Sequence, residues 1–274
     1  MNVPGRLFLT NIIERRALLY QMVRRDFEQR YVGSAGGWLW GLIHPLAILL
    51  CWKFVFEICM KIQLPRGEVT QNYTLFLLAG YLPWTLFQDT VLRSATSLVD
   101  QANLITKTVF PAELIPIAIF FSSLVNHLLT LFLVLGAAWL WLGQASVMTL
   151  SLPIYMILTG LLGVGIGWIV ASLQVYVRDT AQVMTVVLTI WFWLTPIFIY
   201  EESYPSRFHF LLDYNPLAYL VRAYREHLLG PLPDLRQLAL VGEEIGVIAF
   251  YALAAFIAGG LFFRQLKRGF ADVL

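Results

Sequence analysis

The sequence contains few charged residues. Only 13% of its 274 residues are Asp, Glu, Lys or Arg, about half the share of an ordinary soluble domain, whereas 59% are hydrophobic. This composition excludes an ordinary soluble protein and predicts a membrane protein that has lipids as its surroundings. The net charge of +2 comes from scattered residues of both signs, so the clustered basic face that nucleic-acid binding requires is missing.

The sequence also lacks the short motifs of several enzyme classes. It contains no GxxxxGK[ST] phosphate loop, no HExxH or CxxC metal pattern and no GxSxG nucleophile elbow. The four histidines have no metal-ligand spacing: His44, His127, His209 and His227. We therefore expect no catalytic residue, metal site or cofactor in this chain, and no ATP hydrolysis by it. A membrane-embedded lipid-modifying enzyme, the less favoured alternative, would need a catalytic cluster that the sequence does not supply.

Long apolar runs predict an all-α polytopic membrane protein. Six runs are long enough to cross about 30 Å of hydrocarbon: 38–60, 73–95, 114–142, 150–177, 181–200 and 243–263. Six crossings place both termini on one side. Twelve lysines and arginines lie on that side and six on the other, so the positive-inside rule places both termini in the cytoplasm.

The N-terminal residues 1–35 form a separate segment ahead of a membrane domain at 36–274. On a helical wheel, residues 10–31 have a polar arc and an imperfect apolar arc, into which Arg15, Arg16, Asp26 and Arg30 intrude. We interpret the segment as an amphipathic helix in the membrane interface; a solvated N-terminal helix remains the alternative.

Two features inside the predicted spans allow a structural or a functional interpretation. Lys53 and Glu57 lie four residues apart on one helix face, which suits either a neutralising ion pair or a role in a passage. Gly163 and Gly167 have the spacing of a close helix contact, which we interpret as internal packing rather than a subunit interface.

Aromatic residues make up 15% of the chain. Most are expected in interfacial belts or in helix packing, but some would suit the lining of a passage for sugars, because flat rings with a polar edge make weak contacts with sugar faces. The conduit candidates are Trp38, Trp40, Tyr81, Trp84, Phe87, Trp191 and Trp193.

Three stretches of the chain resemble a known family in order and spacing. They are RYVGSAGGWLWGLIHPL at 30–46, NLITKTVFPAELIP at 103–116, and YVRDTAQVMTVVLTIWFWLTPIFIY at 176–200 with YNPLAYLVRAYREHLLG at 214–230. They are similar to the permease subunits of ABC transporters that export polysaccharides or polyol-phosphate polymers. The resemblance covers essentially the whole chain.

The resemblance implies the partners and the activity. It implies a homodimer of this permease with two copies of a separate ATPase subunit, which binds ATP and Mg. The expected substrate is a lipid-linked glycan, of O-antigen, capsule or teichoic type, which crosses the bacterial inner membrane. An exporter of drugs or small lipids is the alternative within the same superfamily.

The resemblance also implies a cytoplasmic coupling helix at 96–112 that rests on the ATPase. The residues agree in part, because apolar side chains recur at three-to-four spacing before Pro111. An ordinary interfacial loop helix is the alternative. The coupling candidates are Leu98, Ala102, Ile105, Lys107 and Val109.

The region 201–238 between the fifth and sixth predicted spans is too apolar for a solvated loop. Asn215–Pro216 predicts a turn between two short helices, and Gly230–Pro231 predicts a stop. The resemblance makes these the external gate helices, with Arg222 and Arg225 at the mouth, where they would meet acidic groups of a glycan or lipid headgroups. The gate candidates are Tyr214, Asn215, Tyr219, Arg222 and Arg225.

Overall fold

The computed structural model describes residues 15–33, 36–66, 68–107, 110–142, 146–231 and 235–274. These residues form helices joined by turns and short irregular segments, and within them no strand occurs. In chain order the α-helices are α1 Arg16–Tyr31, α2 Trp40–Trp52, α3 Tyr73–Asp100, α4 Ala102–Lys107, α5 Leu114–Leu142, α6 Leu152–Tyr176, α7 Thr180–Leu194, α8 Phe210–Asp213, α9 Pro216–Leu229, α10 Leu235–Leu266 and α11 Phe270–Val273.

Other helical types extend some of these elements. A 3₁₀ turn, Gly37–Leu39, leads into α2, and a π-helix, Lys53–Cys59, continues α2 without a break. Further 3₁₀ turns are Val147–Ser151 before α6, Glu201–Ser203 and Ser206–Phe208 after α7, and Lys267–Gly269 after α10.

Local sequence signals set several helix ends. Asn72 caps α3 by accepting a hydrogen bond from the Leu75 backbone N–H at 3.2 Å, and Asn215 caps α9 by accepting one from the Leu217 N–H at 3.0 Å. Pro216 then occupies the first turn of α9, where its missing N–H leaves no unpaired donor. The predicted turn at Asn215–Pro216 and the stop at Gly230–Pro231 are thus confirmed as structural features.

The core is built around α3 and α6. Side chains of α3 are buried along most of its length, and α6 packs between α3 and α10. A Cβ at Gly163 would lie 3.2 Å from Thr90 of α3, whereas one at Gly165 would lie 2.5 Å from the Ala255 backbone of α10. Glycines on two faces of α6 therefore let both neighbours approach closely, which confirms the internal-packing interpretation of Gly163 and Gly167.

Ion pairs and hydrogen bonds gather α1 and the C-terminal segment at one end of the helices, which we call the terminal end. Asp26 of α1 binds Arg93 of α3, and Lys267 after α10 binds Glu113 ahead of α5 at 2.5 Å. The Tyr176 hydroxyl at the end of α6 donates to the Leu266 carbonyl at 2.9 Å. The starts of α3 and α6, the end of α5 and the π-helix lie at the other end, which we call the opposite end.

Five stretches of the described chain are long and apolar enough to cross a membrane, where the sequence predicted six. They are Gly37–Cys59, Tyr73–Asp100, Leu114–Trp141, Met148–Tyr176 and Val241–Gly269. The predicted span 181–200 is shorter: α7 has 15 residues and extends about 22 Å at 1.5 Å per residue. It ends because Thr195 precedes Pro196 and takes an extended backbone, which a residue before proline favours.

The N-terminal helix is α1, within the predicted segment 10–31. Its apolar side chains Leu18, Leu19 and Met22 pack partly against a core cluster formed by α3, α5, α6 and the C-terminal segment. None of its side chains is fully buried. The helix therefore lies along the bundle at the terminal end.

Candidate functional site

The seven conduit candidates do not share one surface in this arrangement. Trp38, Trp40 and Trp193 are about half exposed, and Tyr81 and Trp191 are half-buried. Trp84 and Phe87 are 1% and 0% exposed, because they point from α3 into the packing against α7, where Trp84 contacts Phe192 and Phe87 contacts Trp191. Here these two rings fill the core instead of lining a passage, which corrects their prediction for this arrangement.

Trp52 and Phe198, which the sequence analysis did not select, form the centre of the aromatic packing. Trp52 lies 4.7 Å from the Phe198 ring and 5.5 Å from the Phe192 ring. These contacts place α2 beside α7. The only sequence signal for them was their position near the ends of two apolar runs, which does not distinguish packing rings from conduit rings.

The first span and α7 each have an open apolar face. Along the first span almost no side chain is buried, and Leu50, Phe54 and Ile58 are more than half exposed. On α7, Val183, Val186 and Ile190 are also exposed, and they alternate with three exposed polar side chains, Gln182, Thr185 and Thr189. The Trp52 and Phe192 rings lie 5.5 Å apart, so the two elements are neighbours.

Asn215 ties α7 to the helices that follow it. Its amide oxygen accepts from the Trp191 indole N–H at 2.8 Å, and its amide nitrogen donates to the Thr195 hydroxyl at 3.1 Å. The side chain is buried and its hydrogen-bonding groups are occupied. Asn215 therefore fixes the end of α7 against the start of α9, a role that its predicted place in a turn did not reveal.

Arg225, predicted at an open mouth, is only 5% exposed. Its guanidinium donates to the Ile197 carbonyl at 2.8 Å and to the Phe76 carbonyl at 3.3 Å, and it lies 3.4 Å from the centre of the Phe76 ring. Burial lowers the pKa of Arg225 to about 9. In this structure the side chain joins α9 to α3 and to the segment after α7, which corrects the prediction of an exposed position.

Arg222 joins α9 to α10 and to the segment after α7. It binds Glu201 through two hydrogen bonds, at 3.1 and 2.5 Å, and Glu244 of α10 at 2.7 Å. These carboxylates raise the pKa of Arg222, and burial together with Glu244 raises the pKa of the neighbouring Glu226 to about 7. Carboxylates thus already occupy the guanidinium that was predicted to meet acidic ligands.

The two tyrosines of the gate prediction lie near the surface. Tyr214 is 73% exposed between α8 and α9. The Tyr219 hydroxyl donates to the Asp213 carbonyl at 3.0 Å, and its ring lies under Arg222 at 5.3 Å. Of the five gate candidates, Tyr214 is therefore the most accessible.

The predicted coupling segment 96–112 is divided between two helices. Residues up to Asp100 continue α3, so Leu98 is fully buried in the core and contributes no exposed apolar stripe. The short α4 then carries half-buried Ala102 and Ile105 and exposed Lys107. Val109 lies outside the described residues. The prediction for Leu98 is corrected, and the exposed part of the segment is α4.

A polar network at the terminal end joins α1 to α3 and α5. Asp26 accepts two hydrogen bonds from Arg93, at 2.7 and 2.6 Å. Arg30 binds both Asp89 and Ser123, and Tyr31 donates to Asn126 at 2.8 Å. All of these residues except Asp26 border a cavity of about 640 Å³. The sequence analysis treated Asp26 and Arg30 only as interruptions of an apolar arc.

The predicted charge pair of Lys53 and Glu57 is present. Lys53 Nζ lies 3.8 Å from Glu57 Oε2, and the same carboxylate oxygen accepts from the Thr74 hydroxyl at 3.0 Å. The two residues lie in the π-helix and border a second cavity at the opposite end. In the described part of the chain, no group of three or more His, Cys, Asp or Glu side chains has the arrangement of a metal site.

Comparisons with known proteins identify relatives along almost the whole chain. The family described as "ABC-2 type transporter" matches residues 17–229. An O-antigen export system permease protein RfbA of Klebsiella pneumoniae is 29% identical over 94% of this chain and 95% of its own length. An RfbA of Myxococcus xanthus is 31% identical over 84% and 88%. The polysialic acid transport protein KpsM of Escherichia coli is 23% identical over 88% and 90%.

Proposed function

We propose that this chain, which belongs to the ABC-2 type transporter family, is the permease subunit of an ATP-driven exporter for a lipid-linked polysaccharide. The observation that carries the proposal is the match with polysaccharide export permeases over nearly the full length of both chains. Those relatives favour a glycan substrate over drugs or small lipids. The several long apolar helices support a place in a membrane, which we propose is the bacterial inner membrane.

A separate ATPase would supply the energy, because the sequence lacks a phosphate loop. That subunit would bind ATP and Mg, and two copies would contact two copies of this permease. The short helix α4 and the N-terminal helix α1 are the proposed contacts, since both lie at the terminal end. The exposed side chains of α4, Asn103, Thr106 and Lys107, would meet the ATPase.

Six crossings with both termini in the cytoplasm are the proposed topology. Ala181 at the start of α7 donates to Gln174 near the end of α6, so α7 begins at the terminal end. The His227 carbonyl near the end of α9 accepts from Thr149 at the opposite end, and α10 returns to Glu113 through Lys267. We infer that α7 and the segment after it make the fifth crossing, in place of one long helix.

A homodimer would cover the open surface of the first span and α7. In a lipid bilayer, apolar side chains alone need no protein partner, but Gln182, Thr185 and Thr189 on the exposed face of α7 suit a water-containing passage better than lipid. Two copies meeting along these faces would enclose a conduit with aromatic and hydroxyl groups on its wall. Trp38, Trp40 and Trp193 remain the proposed conduit rings.

The gate would respond to the ATPase through a chain of contacts. Closure of the ATPase dimer would move α1 and α4. The pair of Asp26 and Arg93 joins α1 to α3, and Arg225 joins α3 to α9. Through α3, these contacts connect the terminal end of the helices to the opposite end. In this proposal α8 and α9 open the exit when α3 shifts.

Deletion of the gene tests the proposal in the source organism. The lipid-linked glycan is expected to accumulate on the cytoplasmic face of the inner membrane while its synthesis continues, and the intact gene restores surface glycan. Normal surface glycan in the deletion strain would refute the function. Unchanged glycan together with loss of a drug or small-lipid efflux activity would favour the other substrate class.

A further inference from the structure

The π-helix borders a polar cavity that the transport proposal does not use. It has a volume of about 840 Å³ and lies at the opposite end, where the first span ends, α3 begins and α5 nears its end. Its walls include two lysines, one carboxylate, side-chain amides and an indole. The groups that matter here are Lys53, Glu57, Lys61, Gln63, Gln71 and Trp141.

The backbone beside this cavity is unusual in two ways. Seven residues, Lys53–Cys59, form a π-helix, a rare form that is frequent at functional sites. Two residues later, Lys61 has a φ of 53°, in the left-handed region that a residue with a Cβ seldom adopts. Three charged side chains of this short segment, Lys53, Glu57 and Lys61, line the same cavity.

The charge of the cavity favours an anion. Glu57 is already engaged by Lys53 and by the Thr74 hydroxyl. Among the residues that the structure describes, no carboxylate lies within 4 Å of the Lys61 ammonium. With two ammonium groups against one carboxylate, the cavity carries a net positive charge, and lysine is a common phosphate ligand as a point charge.

The uncharged groups favour a ligand with hydroxyls beside its anionic group. Gln71 donates one hydrogen bond to the Pro65 carbonyl, and its amide oxygen can still accept. Gln63 is exposed at the rim. The Trp141 side chain is 52% exposed and presents an aromatic face, which suits the C–H surface of a polyol or sugar. Amides and an indole would hold hydroxyl groups next to the site for the anion.

We propose that this cavity is a binding site for a polyol phosphate or sugar phosphate, with Lys53 and Lys61 at the phosphate and Gln63, Gln71 and Trp141 at the hydroxyls. The same chemistry occurs in a phosphatidylglycerol headgroup and in a phosphorylated sugar. Both sources fit the position, because the cavity lies near the ends of candidate membrane spans. The site is independent of the proposed transport function, since binding needs neither ATP nor the exported glycan.

Binding to the purified full-length chain tests the site. Native mass spectrometry measures the binding of phosphatidylglycerol that is added to the protein in phosphatidylcholine nanodiscs. Titration with glycerol 1-phosphate measures the binding of a soluble polyol phosphate. The double variant Lys53→Gln/Lys61→Gln is expected to weaken binding about tenfold or more, as expected for the loss of charge-assisted hydrogen bonds. Lys61→Arg keeps the charge and is expected to keep binding. The matched control Lys107→Gln, an exposed lysine at the terminal end, leaves binding unchanged.

A variant with the opposite effect separates binding from folding. Glu57→Gln removes the only carboxylate among the cavity groups named above and is expected to tighten binding of either probe. Binding of phosphatidylglycerol alone assigns the site to a lipid headgroup, and binding of glycerol 1-phosphate assigns it to a free phosphorylated polyol. Binding of neither probe overturns the proposal, as does equal affinity for inorganic phosphate or an undiminished affinity in the folded double variant.

Discussion

At the scale of single residues, the ion pair between Asp26 and Arg93 carries the attachment of α1 to α3. Asp26→Asn weakens two hydrogen bonds and leaves the guanidinium partly buried without its main partner. We expect a loss of about 2 kcal/mol in the docking of α1, typical for hydrogen bonds to charged groups. Thermal unfolding and limited proteolysis at the arginines of α1 measure the loss.

An exposed pair on the same helix supplies the control for that prediction. Arg24 and Glu28 form an ion pair four residues apart with both side chains largely exposed. Because solvent screens such pairs, Glu28→Gln is expected to leave both measurements unchanged. Equal sensitivity of the Asp26 and Glu28 variants would contradict the structural role of the Asp26–Arg93 pair.

Glu226 should make the stability of the region around α9 depend on pH. Burial and the nearby Glu244 raise the pKa of Glu226 from its usual 4.5 to about 7, so the folded chain binds this proton more tightly than the unfolded chain. The stability that the proton contributes is therefore present at low pH and is lost as pH rises between about 4.5 and 7. Between pH 4.5 and 7, the midpoint of thermal unfolding is expected to fall less in Glu226→Gln than in the parent chain.

A second glutamate separates this effect from a general change in charge. Glu202 is exposed on the segment that also carries Glu201. Glu202→Gln removes the same charge from a solvated position and is expected to retain the pH dependence of the parent. A parent midpoint that is constant from pH 4.5 to 7 would refute the assignment to Glu226.

The partners of Asp26, Arg30 and Arg225 could not be predicted from the sequence. Asp26 and Arg30 interrupt an apolar arc on a helical wheel, and a wheel contains no information about partners on other helices. Their carboxylate and guanidinium meet Arg93 and Asp89, more than fifty residues away along the chain. Arg225 was misplaced for the same reason, because its carbonyl acceptors come from distant segments.

At the scale of elements, the contact between α6 and α10 depends on the absence of a side chain at Gly165. A Cβ there would lie 2.5 Å from the Ala255 backbone, which cannot move aside as a flexible side chain can. Gly165→Ala is expected to separate the helices and lower the midpoint of thermal unfolding. Gly246→Ala is the control, since its Cβ would meet nothing within 4 Å, and alanine improves helix propensity by about 1 kcal/mol. Equal effects of the two substitutions would contradict the contact.

The short helix α4 is the element that tests the ATPase contact. Lys107 is exposed at its end, so Lys107→Glu can reverse a charge there without disturbing the core. We expect the variant to fold normally but to lose most of its co-purification with the ATPase. Arg207→Glu, an exposed charge reversal on the far side of the bundle, is the control and is expected to co-purify fully. Undiminished co-purification of the Lys107 variant would remove α4 from the contact.

The positions of helices and turns could be predicted where local sequence features determine them. Long apolar runs located five of the candidate spans within a few residues, and Asn215–Pro216 located the turn ahead of α9. The fifth predicted span was too long, because apolar composition continues past Pro196 although the helix does not. The sequence predicted one coupling helix at 96–112, whereas the structure has the end of α3 and the separate helix α4. The reason is related: apolar spacing continues from α3 into α4 across Gln101.

At the scale of the whole molecule, the open faces of the first span and α7 are the feature that a single chain leaves unexplained. The sequence identifies the aromatic residues of these spans but not which of the rings are buried. Burial depends on how α3 packs against α7. The family and the coarse activity were accessible because they follow from motifs in a fixed order. In the proposed homodimer, the position of the gate relative to the conduit would depend on a second copy of the chain.

Reconstituted transport tests directly whether this chain carries a lipid-linked glycan across a membrane. Proteoliposomes would contain the full-length chain with its ATPase facing outward, and a lipid-linked glycan in the outer leaflet, where an external glycosidase can digest it. We expect ATP and Mg to make the glycan resistant to the enzyme, and omission of this chain to abolish the protection. Glycan that stays fully digestible while the assembled complex hydrolyses ATP would refute the export function.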